Sequence, residues 1–358
     1  MFNDTKANSP YFLKLLLDRE YMPTYRKSTH HFIKQKTILI TGAGGSIGSE
    51  ICRQLLKYDP AKMILVGHGE NSIYKIYQEL SGKSDIAIDT HIVEIQNKER
   101  VDTLFEETKP DYVFHVAAHK HVPLMEKNPH SAIENNLIGT MNLAEASGRN
   151  YVRNFILVST DKAANPQNVM GATKKLAEKS LLHFQEKYLT NYAAVRFGNV
   201  LDSRGSVIPL FMEQIMSGGT ITITHPEMTR YFMSIEEAAE LVIEANPYIV
   251  GGEIFILKMG GPIKITEIAE RLIQKFGKKD TTIEFTGIRP GEKIHEELLE
   301  ETEKEGLATV GEMLIGQASP FDFKLIEMLR LTYKDKSEQE IRQFLLNIAN
   351  NKNIVEVG

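Results

Sequence analysis

The stretch LVSTDKAANPQNVMGATKKLAE, residues 157–178, sets a hydroxyl, a carboxyl and an amine side by side at Thr160, Asp161 and Lys162. A carboxyl protonates a leaving oxygen or, once ionised, accepts a hydroxyl proton, and a lysine presented as a neutral amine takes a proton from carbon. Lys174 follows on what reads as a helix. One turn before it, on the same face, stands Met170, which has no proton to give or take. The stretch therefore suits acid–base chemistry that uses lysine without a phenol. Neighbouring residues of a strand point to opposite sides, so Asp161 and Lys162 serve one site only if the strand has already ended. The turn residues of NPQN place such an end here. On spacing alone, a surface ion pair ahead of a helix is the better reading of the pair.

A second group lies upstream. ILITGAGGSIGSEICRQLL sets Gly42, Gly45 and Gly48 in a G-x-x-G-x-x-G pattern between a strand and a helix. The first glycine permits the sharp turn, the second lets backbone approach a pyrophosphate, and the third lets the helix pack close. Ser46 and Ile47 open that helix, whose free N–H groups and partial positive charge favour phosphate. After the next strand, VGHGENSIYK offers Glu70 as the nearest acid for ribose hydroxyls and no arginine, which favours NAD. His68 and Lys75 keep NADP open, and Glu70 reads equally well as a carboxylate at a helix start. DYVFHVAAHKHVPLMEKNP ends a strand in Ala117 and Ala118, small enough to lie against a flat cofactor. His119, Lys120 and His121 follow at the carboxyl edge of the sheet, as a site or as a solvated loop. Their spacing does not suit a metal cluster, and no metal is expected.

These residues need a scaffold, and the pattern supplies one. From about Lys36, short apolar runs alternate with amphipathic ones, as in βαβ units around a parallel sheet. The runs KTILITG, KMILVG, IAIDTHIVE, DYVFHVAA, NFILVST and YAAVRFG read as strands covered on both faces. Helices are predicted over 46–58, 72–80, 98–108, 132–148 and 169–188, then over 235–245 and 266–276, with EIFILK as a further strand. The irregular segment after Gly198 reads as a substrate cap. Ser337 and Glu340 form a capping box ahead of IRQFLLNIA. The expected fold is α/β, a Rossmann-type doubly wound parallel sheet with a smaller C-terminal substrate-binding domain. Its expected parts are an extension over 1–35, a dinucleotide domain over 36–198 with a return segment near 232–258, a substrate domain over 199–231 and 259–330, and a helical tail over 331–358.

Composition bounds the function. With 358 residues, 42% hydrophobic, 25% charged and a formal net charge of -5, the chain is an ordinary globular protein without the basic excess that nucleic acid demands. The single cysteine, Cys52, reads as a small buried hydrophobe and fits a reducing compartment. No apolar run approaches a membrane span and no signal peptide is evident, so a cytoplasmic location is expected.

Taken in order, TGAGGSIGSE, HVAAHKHVPLMEKNP, NNLIGTMNLAEA, VSTDKAANPQNVMGATK, RFGNVLDSRGSVIPLF, PEMTRYFMSI and GIRPGEKIHEEL resemble the extended short-chain dehydrogenase/reductase superfamily. Within it they resemble the UDP-N-acetylglucosamine 4,6-dehydratases of the configuration-retaining type, over nearly the whole chain from about Leu15. Many such relatives carry membrane helices ahead of this domain, and the chain resembles a soluble member. In the superfamily a Tyr four residues before the Lys transfers the redox proton, and the retaining dehydratases share the Met found here at position 170. The resemblance implies that Asp161 acts as acid and accepts the carbon-4 hydroxyl proton, that Lys162 is the carbon-5 base, and that Thr160 binds the carbon-4 oxygen. It implies that Ser159 lies at the cofactor and that Lys174 holds the nicotinamide ribose. It assigns Arg230 and Arg289 to the diphosphate and Asn199, Ser206 and Glu292, with His119 and Lys120, to the rest of a UDP-sugar. It also implies a homo-oligomer with a helix-pair contact. A nucleotide-sugar epimerase and a non-catalytic NAD(H) sensor are the alternatives, and UDP-GlcNAc against UDP-GalNAc stays open.

Overall fold

The computed structural model describes residues 10–20, 27–278 and 280–351; the rest of the N-terminal extension and of the tail lies outside them. Six strands, β1 (Thr37–Thr41), β2 (Lys62–Gly67), β3 (Ala87–Ile92), β4 (Tyr112–His115), β5 (Asn154–Val158) and β6 (Asn191–Arg196), form a parallel sheet in the order β3-β2-β1-β4-β5-β6. Strand Glu253–Leu257 extends it in parallel beside β6. Met313–Gln317 and Ala308–Val310 then close the edge as an antiparallel hairpin. Strand order reverses between β1 and β4, where Thr41 pairs with His115, and this is where open α/β sheets bind ligands.

Apolar strands make this sheet because helices cover both faces. Helices Lys98–Thr108, Gly139–Arg149 and Val169–Lys187 bury Phe105, Leu143 and Leu176 on one side. Ser46–Leu55, Glu70–Leu80 and Ile235–Glu244 bury Ile51, Ile76 and Val242 on the other. A third, separate core joins helix Pro10–Leu17 to helices Val207–Met216 and Ile265–Phe276 through Leu13, Leu16, Phe211 and Leu272. The N-terminal segment is thus packed on the irregular part of the chain.

Three features depart from the sequence reading. IAIDTHIVE is an edge strand, and Ala87, Thr90 and Ile92 face solvent instead of a second helix layer. The helix expected over 132–148 is interrupted by a π-helical turn, Ile133–Ile138. The tail begins earlier than expected, as Phe323–Thr332 and Glu338–Ala349. Its Ile326, Leu329, Ile341, Leu345 and Ile348 belong to the main core and cover helix Val169–Lys187 from outside. The Ser337–Glu340 capping box forms as expected.

Candidate active site

The glycine turn is closed by contact. Gly42 adopts φ +65°, and a Cβ there would lie 2.7 Å from the backbone nitrogen of Ala117. A Cβ on Gly48 would penetrate the Gly42 carbonyl oxygen, so this helix approaches its own strand as only glycine allows. Gly45 caps the helix without a side-chain hydrogen bond, leaving first-turn N–H groups for a ligand. Gly48→Ala is expected to weaken dinucleotide binding at least tenfold and to lower the melting temperature. Calorimetric titration with NAD⁺ and a thermal melt check both. Glu70 opens helix Glu70–Leu80 and is exposed.

Behind the turn, buried His115 joins two hydroxyls, with Nδ1 2.7 Å from Thr41 Oγ1 and Nε2 2.8 Å from Thr140 Oγ1. Thr140 donates its own proton to the Asn136 carbonyl at 2.7 Å, so Nε2 is the protonated nitrogen of a neutral ring. Burial, with Lys174 nearby, holds His115 well below the usual histidine range. The π-helical turn brings Asn136 to the backbone of His119, accepting from its nitrogen at 2.8 Å and donating to its oxygen at 3.0 Å. Burial lowers the pKa of His119 and of Lys120, and Lys120 donates to Ser203 Oγ at 3.2 Å. Arg204, from the same segment as Ser203, reaches back to the Gly44 carbonyl.

The acid–base group sits past the end of β5. The strand stops at Val158, and Asp161–Ala163 form a single 3-10 turn capped by Thr160. The strand has therefore ended before the pair, and the side chains of Asp161 and Lys162 meet. Asp161 Oδ1 accepts from Thr160 Oγ1 at 2.8 Å and from Lys162 Nζ at 2.9 Å. Lys162 Nζ also lies 3.5 Å from Asn199 Oδ1 and 3.8 Å from Glu296 Oε1. Asp161 is wholly buried, yet its Oδ2, like Glu296 Oε2, has no hydrogen-bond partner. The following loop is fixed by Lys293 donating to the Ala164 carbonyl at 3.1 Å and by Glu300 accepting from the Asn165 nitrogen at 2.9 Å. A Cβ on Gly171 would penetrate the Lys162 carbonyl oxygen, so the next helix starts directly against the turn.

On that helix Met170 is buried and belongs to the main core. Lys174, also buried, donates to the Val158 carbonyl at 2.8 Å, and burial pulls its pKa down to about 8. Between pH 8 and the ordinary lysine range near 10.4, the unfolded chain keeps a Lys174 proton that the folded chain has released. The folded state therefore gains stability as pH rises through that window. Wild type is expected to gain on Lys174→Met by about 3 kcal/mol from pH 8 to pH 10.5, at 1.36 kcal/mol per unit, measured by urea titration.

The proposed nucleotide-binding residues are more scattered. Arg230 is buried and its guanidinium donates to the carbonyls of Thr229, Lys293 and Ile294 at 2.7–2.9 Å, with Glu292 Oε1 at 3.9 Å. It holds the segment that carries Glu296. Arg289 is exposed in a turn whose backbone nitrogen donates to Glu292 at 3.3 Å. Ser206 precedes helix Val207–Met216 with its Oγ buried and unpartnered. His115, Asn136, Arg204 and Glu296 were not singled out from sequence. Glu296 lies in GIRPGEKIHEEL among other acids, and nothing in the spacing separates it from Glu292 or Glu297.

A glycine-turn Rossmann sheet with a buried lysine on the helix after β5 and an acid–base turn at the mouth of that strand defines an extended short-chain dehydrogenase/reductase. Within that class, the chain belongs to the family described as "Polysaccharide biosynthesis protein", whose signature matches residues 38–318. It is 58% identical over 276 residues to the capsular polysaccharide biosynthesis protein CapD of Staphylococcus aureus, covering 76% of this chain and 46% of CapD. It is 47% identical to the probable polysaccharide biosynthesis protein EpsC of Bacillus subtilis, over 94% of this chain and 57% of EpsC. The chain thus spans about half the length of these two relatives. An inverting UDP-N-acetylglucosamine 4,6-dehydratase of Campylobacter jejuni is 37% identical over 73% of this chain and 77% of its own. The crystal structure of Pen from Bacillus thuringiensis superposes with a TM-score of 0.75 at 34% identity, covering 84% of this chain and 99% of Pen. Among the described residues no helix is long and apolar enough to cross a membrane, and no cluster of metal-ligand side chains occurs.

Proposed function

We propose that the protein is an NAD-dependent lyase that converts UDP-N-acetylglucosamine to UDP-2-acetamido-2,6-dideoxy-hexos-4-ulose with retained configuration at carbon 5. The observation that carries this reading is the 3-10 turn in which Lys162 Nζ stands 2.9 Å from the fully buried Asp161. An inverting dehydratase among the relatives and a family described by polysaccharide biosynthesis agree with the dehydration of a UDP-sugar, while retention at carbon 5 rests on Met170 and on Lys162 as the single base. The glycine turn, with no room for a Cβ at Gly42 or Gly48, fits a dinucleotide pyrophosphate, and Glu70 without a neighbouring arginine fits NAD. Bound there, the dinucleotide supplies reversible removal of hydride from the sugar and its return.

The side chains do the rest. Asp161 takes the carbon-4 hydroxyl proton, in place of the phenol that Met170 replaces, and later delivers it to the departing carbon-6 oxygen. Lys162 removes the carbon-5 proton and returns it to the same face. Thr160, already bonded to Asp161, orients that carboxyl toward the carbon-4 oxygen. Lys174 holds the nicotinamide ribose, and Arg289 and Asn199 contact the UDP-sugar.

Incubation with UDP-GlcNAc and NAD⁺ in deuterated water is expected to yield a product lighter by one water, with solvent deuterium at carbon 5 in the original configuration. A product of unchanged sugar formula would make the protein an epimerase. An inverted carbon 5 would overturn the retaining assignment. Met170→Tyr is expected to keep the fold and leave activity modestly changed or reduced, because the proton transfers run through Asp161 and Lys162.

A further inference from the structure

Lys162 raises a question that its role as base does not answer. Its Nζ stands in ion-pair geometry with two buried carboxylates, 2.9 Å from Asp161 and 3.8 Å from Glu296. An ammonium cannot remove a proton from carbon 5, so its own proton must first go somewhere. Asp161 is occupied at that moment, having just taken the carbon-4 hydroxyl proton. Glu296 is the other carboxylate within ion-pair distance of Lys162 among the described residues, at 3.8 Å. Its side chain is 2% exposed, and its Oε2 is buried with no partner. Buried polar atoms without partners are rare and call for a reason. Turning the flexible four-carbon stem of Lys162 closes the remaining gap of about 1 Å to hydrogen-bonding distance.

We propose that Glu296 stores the proton that Lys162 must lose before it can act at carbon 5. The inference rests on the dehydration reading above. Glu296 touches no reacting atom; it is a positioning and proton-holding residue that acts through Lys162. The proton count closes. The trio starts as an ammonium between two carboxylates. The carbon-4 hydroxyl proton passes to Asp161 as carbon 4 is oxidised to the ketone. Lys162 then passes a proton to Glu296 and becomes a neutral amine. The amine takes the carbon-5 proton, the freed electron pair forms the carbon-5–carbon-6 double bond, and the carbon–oxygen bond at carbon 6 breaks as Asp161 protonates the departing oxygen, releasing water. As the removed hydride returns to carbon 6, the Lys162 ammonium returns its proton to carbon 5, and Glu296 gives its stored proton back to the amine. The sugar has lost one water and every protein group is restored.

The test is Glu296→Gln, whose amide keeps the shape and cannot take the proton. With UDP-GlcNAc and NAD⁺, reduced nicotinamide absorbance is expected to rise in a single turnover as in wild type. Water loss and deuterium entry at carbon 5 are expected to fall at least ~10²-fold, the usual effect of losing a proton-transfer group. Glu296→Asp should restore part of that loss, and the same split between carbon-4 oxidation and water loss is read from it if the amide variant melts early. Carbon-5 exchange within about threefold of wild type would overturn the inference while leaving the dehydration reading intact. Equal loss of oxidation and water release would reduce Glu296 to a structural role and overturn it as well. A wild-type protein that neither reduces NAD⁺ nor releases water would instead remove the dehydration reading, and the inference with it.

Discussion

Lys162→Met and Asp161→Asn are each expected to lower turnover on UDP-GlcNAc by at least ~10²-fold while leaving the folded protein intact. The geometry motivates both halves of this expectation. The turn is held by backbone: Asp161 N donates to the Phe197 carbonyl at 3.1 Å and Ala164 N to the Asp161 carbonyl at 3.1 Å. Neither bond involves the substituted atoms. Asparagine keeps an oxygen to accept from Thr160, and methionine matches the length of the lysine stem, so what is lost is proton transfer. The variants should fail at different stages. Asp161→Asn removes the acceptor for the carbon-4 hydroxyl proton, and reduced nicotinamide should not accumulate. Lys162→Met should still permit carbon-4 oxidation but exchange no deuterium at carbon 5. If Lys162→Met turned over near the wild-type rate, the carbon-5 base would lie elsewhere and the acid–base reading of the turn would be wrong.

The largest expected effect on stability belongs to Arg196, which is completely buried. Its guanidinium donates to both carboxylate oxygens of Glu178, at 2.9 and 2.6 Å, and to both of Glu303, at 2.7 and 2.9 Å. These two carboxylates raise the arginine's pKa against the opposing effect of burial. Arg196→Met would strand two buried carboxylates, and breaking a buried ion pair by removing one partner costs about 3–5 kcal/mol. Urea titration is the measurement. Adding Glu178→Gln and Glu303→Gln should recover part of the loss, because neutral amides need no counter-charge. If Arg196→Met melted like wild type, the triad would contribute little to stability. The loss should also reach the site, since Glu178 accepts from Ser159 Oγ at 2.5 Å, directly before Thr160, and Glu303 anchors the segment that carries Glu296 and Glu300.

How much of this was legible in the sequence follows from how local each signal is. The parallel strands were readable because each is a short apolar run bounded by turn residues, and the glycine turn because its spacing is fixed by one strand and one helix. The turn at Asp161–Lys162 was readable from proline and asparagine nearby. The edge position of β3 was not, because an edge is a property of neighbours, and its run of residues resembles that of a covered strand. The hairpin at 308–317 escaped because its two strands are short and half-exposed, with ordinary polar residues between apolar ones. Arg230 reads from sequence as a free cation by a motif, whereas the fold commits its donors to backbone carbonyls. Glu296 was out of reach for the same reason: its partner is Lys162, more than a hundred positions earlier, and no periodic pattern joins them.

The position of the last two helices bears on how copies of this chain can meet. Helix Val169–Lys187 is buried along most of its length, with Phe323–Thr332 and Glu338–Ala349 laid over it. A second molecule therefore finds that flank already occupied by the chain's own end, which stands in for a neighbour. What that flank presents outward is the far side of Phe323–Thr332 and Glu338–Ala349. A partner that sought the helix would first have to displace Ile341, Leu345 and Ile348 from the core.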